Sequence, residues 1–248
     1  MGNAQVYSFY EKNDIELIPF GDLHYGDKSC NIEKIETMVK WIKNNPKSRV
    51  ILMGDLINCA SPTSVSSMFE EDAHGQEQYN YIYNLLLPIK DKIYGSFLGN
   101  HENRIMKTTG YNVTEMLARE MGHKYFGYAQ FIRIKIKDTN YILYGMHGSS
   151  GPTPPQNKLK RLIDISTYFE ADIFLMGHVH SLQSYSVDVE RISLQNKQIE
   201  KHKRYYVITG HYLNYKNSYA EMKSMVPEKQ GSPVIMLSGN QYQIRVSL

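Results

Sequence analysis

Five of the nine histidines in the 248 residues, His24, His101, His147, His178 and His180, stand at or just past the end of a short apolar run. Beside them lie Asp22, Asp55 and Asn100. Residues 15–20 lead into Gly21-Asp22-Leu23-His24, residues 50–53 into Gly54-Asp55, and residues 93–98 into Gly99-Asn100-His101-Glu102. Residues 140–146 lead into His147-Gly148, and residues 172–176 into Gly177-His178-Val179-His180. Imidazole nitrogen mixed with carboxylate and amide oxygen is a donor set for divalent transition metals such as manganese, iron or zinc. The set is too large for one tetrahedral zinc, and it contains no thiolate. Two ions sharing a bridging Asp is the economical arrangement. Ions about 3.5–4 Å apart clamp a phosphoryl group and lower the pKa of a water for in-line attack. Hydrolysis of a phosphate ester is the chemistry expected. Taken singly, a histidine at a strand end is a locally bonded side chain, and Asp after Gly is a turn or cap residue. Those readings leave the repeated order of strand, glycine and ligand unexplained.

Such a site needs elements that bring distant residues to one edge. Apolar runs of four to seven residues bounded by Gly predict buried strands. In α/β proteins ligand sites gather at the carboxyl ends of strands. In Asp22-x-His24 and His178-x-His180 alternate residues point the same way. Residues 31–44 predict a helix, with Ile32, Ile35, Val39 and Ile42 on one stripe and Pro46 as a stop. Residues 76–87, 111–121 and 157–170 also read as helical, whereas 129–137 and 140–145 predict a hairpin around Asp138-Thr139. Further strands are expected at 205–209, 233–237 and 242–247. The sum is an α/β chain with a mixed sheet or β-sandwich and helices outside. One domain over residues 1–248 is expected, with insertions at about 60–80 and 210–232.

These five blocks resemble the calcineurin-like metallophosphoesterase family, whose pattern is DxH, GDxx[DN], GNH[DE], a lone His and GHxH. All five stand here in that order, from about residue 20 to residue 181. The resemblance implies a four-layer mixed β-sandwich flanked by helices. It implies that Asp22, His24 and His180 hold one metal, that Asn100, His147 and His178 hold the second, and that Asp55 bridges them. His101 would face the scissile phosphate and protonate the leaving oxygen or stabilise its charge. Glu102 would orient His101 or raise its pKa, and Asn58, at the end of the second block, would lie near the metals. The family's protein phosphatases carry phosphate-gripping arginines before GNHE and within the second block. Here Leu98 and the neighbourhood of Cys59 stand in their place, which argues against that subclass. Arg104 is either a local substitute in phosphate binding or the partner of a carboxylate such as Glu102. His74 either reaches the mouth of the site or is a solvated loop histidine.

The resemblance extends to DNA-repair exonucleases that use manganese, so a phosphodiesterase with nuclease-like action on DNA is the first expectation. A phosphomonoesterase or a cyclic-nucleotide or dinucleotide hydrolase is the alternative, and a metal-holding scaffold a third. Two short basic clusters, 158–161 and 201–204, and 20 tyrosines could line a nucleic-acid groove. A net charge of +3 neither requires nor excludes an anionic substrate. Gly145-x-x-Gly148-x-x-Gly151 is not a dinucleotide fingerprint, and no phosphate-loop lysine motif occurs. Two cysteines without a CxxC pair, no signal-like start and no membrane-length apolar run give the expectation of a cytoplasmic protein. Homodimers are common among similar enzymes.

Overall fold

The computed structural model describes residues 5–60, 71–148, 155–193 and 197–248. Its strands form two six-stranded mixed sheets. In the first, β2 (Ile15–Phe20), β3 (Ser48–Leu52), β4 (Ile93–Phe97) and β5 (Lys124–Gly127) run parallel in chain order. β11 (Val234–Leu237) and β12 (Ile244–Ser247) extend it antiparallel beyond β2. The second sheet has the order β1 (Tyr7–Glu11), β6 (Ala129–Ile136), β7 (Thr139–Met146), β8 (Ile173–Met176), β10 (Gln198–Thr209), β9 (Leu182–Ser193).

The apolar runs are continuous because the central strands are buried on both faces. Ile15, Leu17, Ile51 and Met53 point into the core between the sheets, where they meet Ile132, Ile134, Leu143, Ile173, Leu175 and Val207. The alternate residues Ile18, Phe20, Val50 and Leu52 point the other way. There they meet α1 (Ile32–Asn44), α2 (Gly75–Leu86) and α4 (Val113–Met121) through Ile35, Val39, Ile42, Ile82, Leu86 and Leu117. On the far side, Phe174, Met176, Tyr206 and Ile208 pack under Leu159 and Leu162 of α5 (Pro155–Ile165). Helices, sheet, sheet and helix make the four layers of the expected α/β sandwich.

The structure departs from the sequence reading in particular places. Ile32, counted in the stripe of α1, is exposed in the first turn. The two residues of the β6–β7 turn are Lys137 and Asp138, one position earlier than expected, and Lys137 takes the left-handed conformation. Asn100 and His101 are not on a loop: they open α3 (Asn100–Thr109). That helix carries no apolar stripe, and its buried residue is Glu102, so periodicity could not reveal it. β9 and β10 form a hairpin of two 12-residue strands, of which the sequence showed only 205–209. From Gln198 to Arg204 β10 pairs with β9 alone, so its charged residues lie on a solvated ribbon. The 210–232 region contains the short helix α6 (Tyr219–Met222) and backbone bridges at His211 and Leu213. Part of the other expected insertion, 61–70, lies outside the described residues. No helix among the described residues is long and apolar enough to cross a membrane.

Behind β4, the buried His123 ring meets Ser96 Oγ at 3.2 Å, and burial pushes its pKa down to about 4. Below pH about 6.5 the unfolded chain takes up a proton there that the folded chain refuses. The stabilisation is therefore full above pH 6.5 and is lost as pH falls towards 4. Wild-type protein is expected to lose on the order of 1–2 kcal/mol more than His123→Gln between pH 7 and pH 5, read by urea unfolding. Parallel pH profiles for the two proteins would refute this.

Candidate metal centre

The carboxyl ends of β2, β3, β4, β7 and β8 meet at one edge of the sandwich, and each delivers part of a polar cluster. Asp22, His24, Asp55 and His147 are buried there, and Asn100, His101, His178 and His180 are half-buried. Five of these residues adopt left-handed backbone: Asp22, His24 and Asp55 at φ 50°, His178 at 66° and His180 at 47°. For a residue with a Cβ this conformation costs about 1–2 kcal/mol, and such strain clusters at functional sites. Backbone bonds between the loops hold it in place. Asp22 N–H donates to Gly54 O at 2.9 Å, and the N–H groups of Leu23 and His24 donate to Asp55 O at 2.9 and 3.0 Å. Gly54 is required by close approach, because a Cβ there would lie 2.6 Å from Gly99 N and 2.9 Å from His147 Nδ1.

The donor atoms fall into two groups. In the first, His24 Nε2 and His180 Nε2 are 2.9 Å apart, and Asp22 Oδ1 lies 3.9 and 3.4 Å from them. In the second, Asn100 Oδ1 lies 2.9 Å from His147 Nε2 and 2.6 Å from His178 Nδ1. Asp55 Oδ2 stands between the groups, 3.2 Å from His147 Nε2 and 3.7 Å from His24 Nε2. Atoms about 2.1 Å from a common ion stand about 3.0 Å apart when at right angles and about 4.2 Å when opposite. The observed separations lie within or close to that interval. Two imidazole nitrogens face each other at one point, as ligands of a shared cation do. The residues fit divalent metal. The rings are also held from behind: His147 Nδ1 meets Met53 O at 2.7 Å, which keeps that proton away from the cluster and aims Nε2 at Asn100 and Asp55. Asp22 accepts the His178 N–H with both oxygens at 3.0 Å.

Asp55 and Glu102 hold each other's chain. Asp55 Oδ1 accepts the His101 N–H at 2.9 Å in the first turn of α3, where the positive helix end favours an anion. In return the Glu102 carboxylate accepts the N–H groups of Asp55 at 3.0 Å and Leu56 at 2.7 Å. Burial alone would raise the Asp55 pKa, but the imidazoles of His147 and His101 override it and hold the carboxylate well below its usual range. Burial, then Asp55 beside it, pushes Glu102 up. His24 and His101 are lowered, burial being the leading cause in both.

Several expected roles change with this geometry. Glu102 does not orient the His101 ring; its carboxylate is turned to the backbone after β3. The His101 ring is held by Asn58, whose carbonyl meets Nδ1 at 2.5 Å, while Nε2 faces Asp55 Oδ2 at 3.8 Å. The Asn58 side chain donates to Glu71 at 3.0 Å. His74 caps α2, its side chain is 75% exposed, and its backbone N–H donates to Glu77 at 3.1 Å. The structure does not bring it into the cluster. Arg104 is half-buried on α3 within electrostatic reach of Asp55, Glu102 and Glu71. His211 is present at the cluster and was missed, although residues 207–211 repeat the order of apolar run, glycine and histidine. Its ring stacks on His180 with centroids 5.5 Å apart, and burial lowers its pKa to about 3. Glu102→Gln replaces one acceptor oxygen by a donor against two N–H groups. It is expected to weaken manganese binding at least about 10-fold and to lower Tm, read by calorimetric titration and melting. Unchanged affinity would remove Glu102 from the support of the site.

Solved structures of similar overall shape include Vps29 from Chaetomium thermophilum, 12% identical over 94% of this chain and 96% of that one, with a TM-score of 0.46. A metallophosphoesterase from Sphaerobacter thermophilus is 11% identical over 94% and 87%, with a TM-score of 0.43. The NAD nucleotidase of Haemophilus influenzae is 9% identical over 96% of this chain and 50% of that one, with a TM-score of 0.44. A comparison with curated proteins finds no match. Residues 17–211, which hold every donor described above and end on His211, match the model of the calcineurin-like phosphoesterases, and the chain belongs to that family.

Proposed function

We propose that this phosphoesterase is a two-metal phosphodiesterase. The reading is carried by Asp55, whose Oδ2 stands between the two donor groups with His101 Nε2 at 3.8 Å. Asp22, His24 and His180 would hold one ion, Asn100, His147 and His178 the other, and Asp55 would join both. Divalent ions there supply charge neutralisation of the phosphoryl oxygens and activation of water. The protein's own part is to hold these donors on strained but bonded backbone and to present His101 to the leaving oxygen. His101 Nδ1 keeps its proton on Asn58 O, so the proton for the leaving group is the second one, carried on Nε2 by the imidazolium form. Hydrolysis then balances as water adding to phosphorus and giving up one proton to solvent, the P–O bond breaking, the departing alkoxide taking the Nε2 proton, and the ring regaining a proton from solvent.

A diester carries one negative charge and a monoester close to two at neutral pH. Leu98 is buried in the sandwich where a protein phosphatase would offer an arginine, which leaves Arg104 as the nearby guanidinium. Without an arginine at that position the more highly charged monoester has less to hold it, which suits the diester. DNA is the diester first expected, with manganese as the metal. The basic clusters lend DNA less support than the sequence suggested: Lys158 faces Glu228 at 2.9 Å, Lys160 faces Asp164 at 2.7 Å, and Lys203 faces Asp188 at 3.5 Å.

Metal-stripped protein given manganese is expected to cleave bis-nitrophenyl phosphate at least about 10-fold faster than the nitrophenyl monoester. The reverse preference would make it a phosphomonoesterase, and no cleavage of either with metal bound would leave a highly selective enzyme or a metal-holding scaffold. His101→Ala is expected to bind manganese as wild type does and to lose about 100-fold or more on a diester with a poor leaving group. The loss on the nitrophenyl ester should be much smaller. Equal losses on both would remove His101 as the acid.

A further inference from the structure

The reading above leaves His211 without a task. β10 ends at Thr209, and Gly210, at φ +85°, turns the chain so that the His211 ring lies almost parallel to His180, 19° between planes. On another side His180 meets the His24 ring edge-on, with centroids 4.8 Å apart and planes at 71°. His180 needs this support more than His24 and His147 do. Its side chain is 35% exposed, against 4% for His24 and 3% for His147, so the core does little to select its rotamer. The rings that flank it are therefore what restricts it.

The backbone around His211 is tied to both loops of the same donor group. Gly210 N–H donates to Ser181 O at 2.9 Å, next to His180, and Tyr212 N–H donates to Asp22 O at 3.1 Å. The ring itself is fixed, because Nδ1 accepts the Leu213 N–H at 3.2 Å. That bond leaves the ring proton on Nε2, which is buried and meets no acceptor among the described residues. An isolated buried donor costs about 1–3 kcal/mol, so a flat apolar ring at this position would carry less strain of that kind.

We propose that His211 is a positioning residue. Its face holds the His180 ring in the rotamer that brings Nε2 to Asp22 and His24. It thereby sets the metal affinity of that donor group and leaves the group of Asn100, His147 and His178 unaffected. The assignment rests on the two-ion reading given above, and it extends the site to the segment that follows β10.

The test compares the full wild-type chain with His211→Leu, which keeps bulk without a flat face, and His211→Phe, which keeps the face without either nitrogen. Manganese alone is titrated into each metal-stripped protein by calorimetry, with bound equivalents counted by elemental analysis and Tm recorded alongside. Wild type is expected to bind two equivalents. His211→Leu should keep one at wild-type affinity and bind the other at least about 10-fold more weakly. His211→Phe should bind both within about 3-fold of wild type. If His211→Leu does not fold, His211→Asn, which has no ring but can keep the Leu213 bond, replaces it with the same expectation. Two unchanged affinities without the ring would overturn the proposal, as would a loss in His211→Phe equal to that in His211→Leu. Fewer than two equivalents in wild type would instead overturn the two-ion reading itself.

Discussion

The site depends on one reciprocal constraint, in which Asp55 and Glu102 each terminate the other's unsatisfied backbone. Asp55 follows β3 and Glu102 lies in the first turn of α3, 47 residues apart in sequence. The first carboxylate caps α3 through His101 N–H, and the second accepts the amides of Asp55 and Leu56. Neither loop can move without orphaning a buried charge, which is far more costly than losing a surface contact. A Cβ on Gly99 would collide with this bracket, since it would fall on the Asp55 amide and the Glu102 carboxylate. Asn100, His101 and Asp55 are thus placed as one unit.

The same constraint accounts for the strain nearby. Left-handed backbone at five donor-bearing positions is unfavourable for each residue alone. The loops after β2 and β3 are stitched together by backbone hydrogen bonds, the segment after β10 is stitched to the loops after β8 and β2, and behind them lies a core in which Leu17, Ile51, Leu143 and Leu175 are fully buried. The rigid sandwich lets the loops hold conformations that an isolated loop would relax away from. The electrostatics follow from the same packing: carboxylates and imidazoles pressed together in a desolvated edge stabilise one another's charged forms or, like His24, are forced neutral.

Surface charge tells a different story. The two basic clusters appeared in sequence as possible phosphate contacts. In the fold Lys158 pins the 210–232 region through Glu228, and Lys201 and Lys203 face Glu190 and Asp188 across the β9–β10 ribbon. A cluster of lysines in sequence says nothing about which carboxylates a neighbouring strand will set against it, and the exposed pairs on the ribbon contribute little stability.

What the sequence by itself determined is local. Buried strands write themselves as unbroken apolar runs, and the residues after them are named in order, so the α/β class was legible, as was the gathering of Asp22, His24, Asp55, Asn100, His101, His147, His178 and His180 at one edge. So were α1 and the β6–β7 hairpin, whose periods of about 3.6 and 2 need no distant partner. What only tertiary structure decided is direction. That Glu102 turns to the β3 loop, that Asn58 holds His101 by its carbonyl, that His74 caps α2, and that His211 lies against His180 all depend on contacts between elements. α3 and the distal half of the β9–β10 hairpin escaped for a related reason: neither presents an apolar face to read, because one buries a carboxylate and the other stands in solvent. Sequence pattern records which face of an element is buried, whereas the aim of a polar side chain is set by the partner that happens to be there, and that partner is fixed only when the chain has folded.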